Sequence, residues 1–259
     1  MTENHETQVR AKSLSAPFVL LLLAALLFSA LGIWQVKRLA WKQDLIARVE
    51  QRVHAAPVAV PGNDVGPAFL ADHEYQRVQL RGHYVVSGTA LVRAVTTLGA
   101  GYWVLTPLKL EDGRLIYVNR GYVPVGSKVE AERARTPQGE YQITGLLRLP
   151  EPGGGFLRSN DAEGDKWYSR DIELLSQTRR LSHVAPFFVD AQVASKAGNV
   201  VANNVSVQSS SANQQDGPVP GLTVISFPNN HLSYALTWFA MAVLSAGMAL
   251  WLRRRGRDL

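Results

Sequence analysis

PNNHLSYALTWF, Pro228 to Phe239, carries the chain from a polar loop into a hydrophobic helix. From His231 to Leu252 no side chain carries a charge apart from the possible charge on His231 itself, and the run stops against Arg253-Arg254-Arg255. That length meets the roughly 20 apolar residues needed to cross the hydrocarbon core of a bilayer. His231, Tyr234, Ala235 and Trp238 fall at i, i+3, i+4 and i+7 and therefore share one helical face. At about 1.5 Å rise per residue, this face presents polar aromatic groups over roughly 10 Å of depth. The functional centre is expected at this mouth of a membrane span.

A second uncharged stretch, Ala16 to Val36, contains FVLLLLAALLFSALGIW. It is longer than the apolar core of a cleaved signal peptide, about 7–15 residues. Ala30-Leu31-Gly32 has the small-x-small form of a cleavage site, but the length points to an uncleaved anchor. Before it, Glu3 and Glu6 beside Arg10 and Lys12 give residues 1–15 the look of a short cytoplasmic tail rather than an acid-poor transit peptide. Trp34, Trp41, Lys37, Arg38 and Lys42 supply aromatic and basic anchors at the interface. Helical spacing continues through LAWKQDLIARVEQRV until Pro57 and Pro61-Gly62 break it.

The two spans set a membrane protein with its soluble portion between them. Lys37, Arg38 and Lys42 favour a cytoplasmic middle region. Long loops translocate largely regardless of charge, however, and the arginines after Leu252 hold the C-terminus inside. Both termini are therefore expected in the cytoplasm, with residues 37–231 outside it, spans at 16–36 and 232–252, and a basic tail at 253–259.

The formal charge of +6 and pI near 9.7 come largely from clusters beside the apolar runs. That placement suits anionic lipid headgroups, and no basic stripe interleaved with aromatics supports nucleic acid as a partner. Cysteine is absent, which removes disulfides, thiolate catalysis and thiolate metal sites together. No G-x-S-x-G elbow, H-E-x-x-H pair or phosphate-cradling glycine loop occurs, so no enzyme activity is expected. The histidines at 5, 54, 73, 83 and 183 lack metal-ligand spacing; His73 and His83 could still meet across strands.

The middle region reads as β-rich. Residues 75–86 and 89–97 are extended runs parted by Ser87-Gly88. YWVLTPLKL and RLIYVNRGYV flank Glu111-Asp112-Gly113 as the clearest hairpin. Residues 140–149, 184–190 and 222–227 add strands, and 171–180 is the helix expected between them, capped by Ser169 or Asp171. A small sheet or barrel follows. Residues 193–219, rich in Ser, Asn, Gln and Ala, bury too little to offset their ordering entropy and are expected to form a disordered loop. The fold class is thus membrane α+β: two transmembrane helices at the chain ends flanking a β-rich extracytoplasmic domain.

Three separated motifs, LGIWQVKRLAWKQDLI, GYWVLTPLKLEDGRLIYVNRGYVP and PNNHLSYALTWF, resemble the Surfeit-locus family in content and order, over roughly residues 17 to 252. The resemblance implies an inner-membrane assembly factor for haem–copper terminal (cytochrome c) oxidases. Bacterial members bind haem a and help deliver it to oxidase subunit I, so the cargo here is expected to be haem a. Expected partners are subunit I, haem a synthase or other assembly factors, and the lipid membrane. The family's haem-linked histidine falls on His231. The lack of a presequence suits a bacterial member, in the inner membrane.

Each candidate has a plainer alternative. His231 could ligate haem iron through a neutral imidazole nitrogen, or, with Asn229 and Asn230, satisfy free backbone N–H groups at the helix start. Tyr234 and Trp238 could stack on a macrocycle or belong to an aromatic belt. Arg38 and Lys37 could hold haem propionates or lipid phosphates. Gly101, Trp103 and Asn119-Arg120-Gly121 read as structural, Gly121 through its backbone freedom; Arg120 could also meet a partner or an acid. Rival functions are a haem-independent scaffold for subunit I, a two-span sensor with an external ligand-binding domain, and a haem-modifying enzyme. The sensor lacks room for an output domain and the enzyme lacks an acid/base constellation.

Overall fold

The computed structural model describes residues 16–155, 158–196, 217–222 and 229–255. It divides into two units, a helical one from residues 1–47 and 226–259 and a β-rich one from residues 48–225.

The first helix, α1 (Ala16–His54), continues well past the expected span because no proline or glycine interrupts LAWKQDLIARVEQRV. At the other end of the chain a helix over His231–Arg255 bears the three arginines in its last turn. Both helices are long and apolar enough to cross a membrane, and only 11% and 17% of their apolar windows are buried, unlike the core helices of a soluble domain. Among the less exposed positions of α1, Phe18, Leu21, Ala25, Phe28, Gly32 and Gln35 recur at spacings of three and four. The same rhythm recurs in the C-terminal helix, whose Ala235, Ala242 and Ala249 are 2%, 7% and 0% exposed. Such a seam is the pattern of a left-handed helix pair, with small residues permitting close approach.

Between the helices, the chain forms β1 (Val58–Ala59), α2 (Pro67–Asp72), β2 (Arg77–Tyr84), β3 (Ala90–Thr96), β4 (Gly99–Leu110), β5 (Leu115–Pro124), α3 (Val129–Ala134), β6 (Glu140–Arg148), α4 (Ile172–Thr178) and β7 (Val184–Lys196). The helix over His231–Arg255 is α5. The strands make one seven-stranded sheet in the order β1-β2-β6-β7-β5-β4-β3, and β2 pairs back onto β4. That extra pairing, Gly82–Tyr84 against Leu108–Leu110, closes β2-β6-β7-β5-β4 into a barrel. Closure requires Gly82: a Cβ there would stand 2.1 Å from the Lys109 carbonyl oxygen.

Alternation along the strands builds two cores. Val78, Leu80, Leu108, Ile116, Val118, Ile143, Phe187 and Val189 form one cluster. Their strand neighbours Tyr117 and Phe188 point the other way, joining Trp167, Ile172 and Leu175 in a second cluster beneath α4.

The expected hairpin, the strands over 75–86, 89–97 and 140–149, and the helix over 171–180 all appear, with Asp171 accepting from the Leu174 amide at 3.1 Å as its N-cap. Two short helices were not read from the sequence. α2 starts on Pro67, and α3 carries Glu130 and Glu132 in its first turn and Arg133 in its last, a dipole-matched pattern over too few residues to stand out. The final strand is longer than expected: β7 runs to Lys196 because Tyr141–Thr144 of β6 offer backbone partners through that point. Val193–Lys196 are therefore strand rather than loop, and Val219 pairs with Tyr122. The rest of the expected loop (197–216), residues 223–227 of the expected strand and the two chain-terminal tails (1–15 and 256–259) lie outside the described residues.

Candidate functional site

His231 opens α5 and is half-buried. Its Nδ1 lies 2.8 Å from Oε1 of Gln35 on α1. An amide oxygen only accepts, so this contact is a hydrogen bond when Nδ1 carries a proton. Gln35 is 9% exposed, the one strongly polar side chain on the buried seam of the N-terminal span. One turn further into α1, Gly32 faces the ring of Phe239, and beyond it Phe28 stacks on Trp238 with centroids 5.7 Å apart. From Gln35–His231 to Phe28–Trp238 the contacts move back along α1 and forward along α5, so the helices run antiparallel. Oδ1 of Asn229, two residues before His231, is buried with no donor among the described residues.

The other expected site residues divide. Trp238 gives a ring face to Phe28 and so takes part in helix packing. Tyr234 is 56% exposed on α5. The Arg38 guanidinium sits over the Trp41 ring, 4.0 Å from its centroid, an arrangement suited to an interfacial anchor that keeps its charge outward. Gln35 was missed in the sequence reading. Its signal was present: it is the last amide-bearing residue of an uncharged run, three residues from Gly32 on the same helical face.

The motif residues of the barrel play structural parts. Gly121 has φ +132, and a Cβ there would meet the Val219 carbonyl at 2.4 Å. Among the described residues Arg120 pairs with no acid. It donates to Thr136 Oγ1 at 2.8 Å and to the carbonyls of Glu132 and Arg135, tying down the C-terminal end of α3. Burial lowers the Arg120 pKa from its ordinary value, and raises that of its neighbour Tyr84 to about 12. Trp103 meets Tyr122 edge-on, and Gly101 lies against the Tyr122 ring. His73 stacks on Phe69, whereas His83 is paired in register with Lys109 and Glu140.

Asn119 joins a buried charge network that the sequence did not reveal. Asp190, 2% exposed, accepts from Asn119 Nδ2 at 2.8 Å and Arg148 Nη1 at 2.9 Å, with Arg170 Nη1 at 3.5 Å. Arg170 also pairs with Glu151, and Arg148 with Glu74. Every charged member faces an opposite charge, the condition under which burial of ions is tolerated.

A family model described as the SURF1 family matches residues 22–243. This chain belongs to the SURF1 family. Surfeit locus protein 1 of Mus musculus is 34% identical over 253 residues, spanning 91% of this chain and 74% of that protein. The Homo sapiens protein is 33% identical over 258 residues, spanning 92% and 76%, and that of Takifugu rubripes is 32% identical over 248 residues, spanning 88% and 93%. The SURF1 match takes in Gln35, Arg38, His231, Tyr234 and Trp238 together with the whole barrel. Family and helices together indicate a membrane protein.

Proposed function

We propose that this chain is a non-catalytic assembly factor for haem–copper terminal oxidases, holding haem a at the start of α5 and assisting its insertion into oxidase subunit I. Membership of the SURF1 family supports the oxidase-assembly role. The haem half rests on one observation, the Gln35–His231 hydrogen bond between two apolar helices. Polar side chains within membrane spans are expensive, and they mark functional sites by default.

The residues present fit a haem cargo. An imidazole nitrogen is a common axial ligand of haem iron, and here the second ring nitrogen is already engaged. Tyr234 offers an exposed aromatic ring one turn along α5, and Lys37 and Arg38, next after Val36 on α1, supply cations for propionates. A single protein ligand suits a carrier that must release what it holds. In this reading the barrel lies outside the cytoplasm, on a bacterial inner membrane, and docks on the oxidase subunit or on haem a synthase. The role asks for binding and release, with no covalent step.

The test is an absorption spectrum of the full chain purified after co-expression with haem a synthesis, beside His231→Ala. A haem band present in the parent and lost in a folded variant supports the reading. Equal haem in both removes His231 as an essential ligand. Absence of haem from both, with haem a made in the cells, favours a haem-independent scaffold for subunit I.

A further inference from the structure

We propose that Gln35 is a positioning residue, setting the tautomer and ring orientation of His231 so that Nε2 stands free as a metal ligand. Its Oε1 faces Nδ1 at 2.8 Å, and it reaches His231 from a different helix, 196 residues away in sequence. Gln35 is 9% exposed, so its amide has no ready access to water and the imidazole is its hydrogen-bond partner. Losing that partner would leave a buried amide unpaired, a costly outcome that holds the pair together. An acceptor at Nδ1 keeps the proton there, puts the lone pair on Nε2 and raises the basicity of the ligating nitrogen.

Geometry along the seam holds Gln35 in place. Gly32 admits the Phe239 ring one turn away, and Phe28 stacks on Trp238 beyond it, fixing the register that brings residue 35 to residue 231. The ligand half of this inference rests on the haem reading above. The tautomer half does not.

Two measurements separate them. The first is 15N NMR of histidine-labelled full chain in detergent without haem, at a pH where imidazole is neutral, with His231→Ala used to assign the signal. The parent is expected to show Nδ1 protonated and Nε2 bare. Gln35→Leu is expected to move the proton toward Nε2, and Gln35→Glu, whose carboxyl oxygen still accepts, to restore the parent pattern. A parent protonated at Nε2, or a tautomer indifferent to Gln35→Leu, overturns the proposal, and the parent spectrum decides this even where a variant fails to fold.

The second is titration of the same proteins with haem a. Gln35→Leu is expected to bind about 10–100-fold more weakly, within the range for loss of an outer-shell partner, with Gln35→Glu close to the parent. Undiminished binding by Gln35→Leu would overturn the positioning role while leaving the haem reading intact. If the parent binds no haem but shows the expected tautomer, the haem reading fails and the assignment of Gln35 stands.

Discussion

A Cβ on Gly32 of α1 would lie 2.6 Å from Cε1 of Phe239 on α5, so the helices meet where one of them has no side chain. Gly32→Ala must therefore displace the Phe239 ring, and an overpacked contact of this kind costs about 1–3 kcal/mol. Thermal unfolding of the full chain in detergent should show that loss. The double variant Gly32→Ala/Phe239→Leu should recover part of it, since the smaller partner makes room.

Asp190 is the shared acceptor of Arg148 and Arg170, whose side chains are 12% and 13% exposed. Removing one partner of a buried ion pair strands the other charge, typically at about 3–5 kcal/mol. Asp190→Ala should destabilise the barrel on that scale in chemical denaturation. Asp112→Ala, at an exposed hairpin turn where Asp112 pairs with Arg114, should cost about 1 kcal/mol or less.

Glu151 gives this network a pH dependence. Burial pushes its carboxyl up, but the hydrogen bond from Arg170 and the charges of Arg170 and Arg148 outweigh that, so its pKa lies below the ordinary value. An acid depressed in the folded state contributes stability that is fully present above its unfolded pKa, about 4.3, and lost as pH falls through its folded value. The stability gap between the parent and Glu151→Gln should therefore be constant near neutrality and narrow below about pH 4.3. Glu140, held low by its Arg81 hydrogen bond, and Asp161, held low by the Gly164 amide, should leave a residual acid slope in the variant.

Gly82→Ala should interfere with barrel closure. Its Cβ would meet the Lys109 carbonyl, a backbone atom tied into the β2–β4 pairing. The expected loss in Tm corresponds to about 3 kcal/mol, the upper end for overpacking. Gly66→Ala, where a Cβ meets nothing within 4 Å, should stay within about 0.5 kcal/mol of the parent.

The helices and hairpin were legible because their causes are local. Runs such as Ala16–Val36 and His231–Leu252 state their hydropathy in every residue, and Asp112-Gly113 marks a turn from its own backbone preferences. His231 could be singled out for the same reason, as an ionisable group at the edge of an apolar run. The three-residue return of β2 onto β4, Gly82–Tyr84 against Leu108–Leu110, by contrast, has no such mark, because barrel closure depends on strand twist summed over the whole sheet.

What the sequence determined by itself is therefore the kind of each segment: two apolar helices, a β-rich middle and a histidine where polar loop meets membrane helix. The tertiary structure decided which segments meet. Asp190 gathers Asn119, Arg148 and Arg170 from three separate places in the chain, and Gln35 reaches His231 across 196 residues. Neither group has a sequence spacing to read, because its partners come together only when packing brings the elements that carry them side by side.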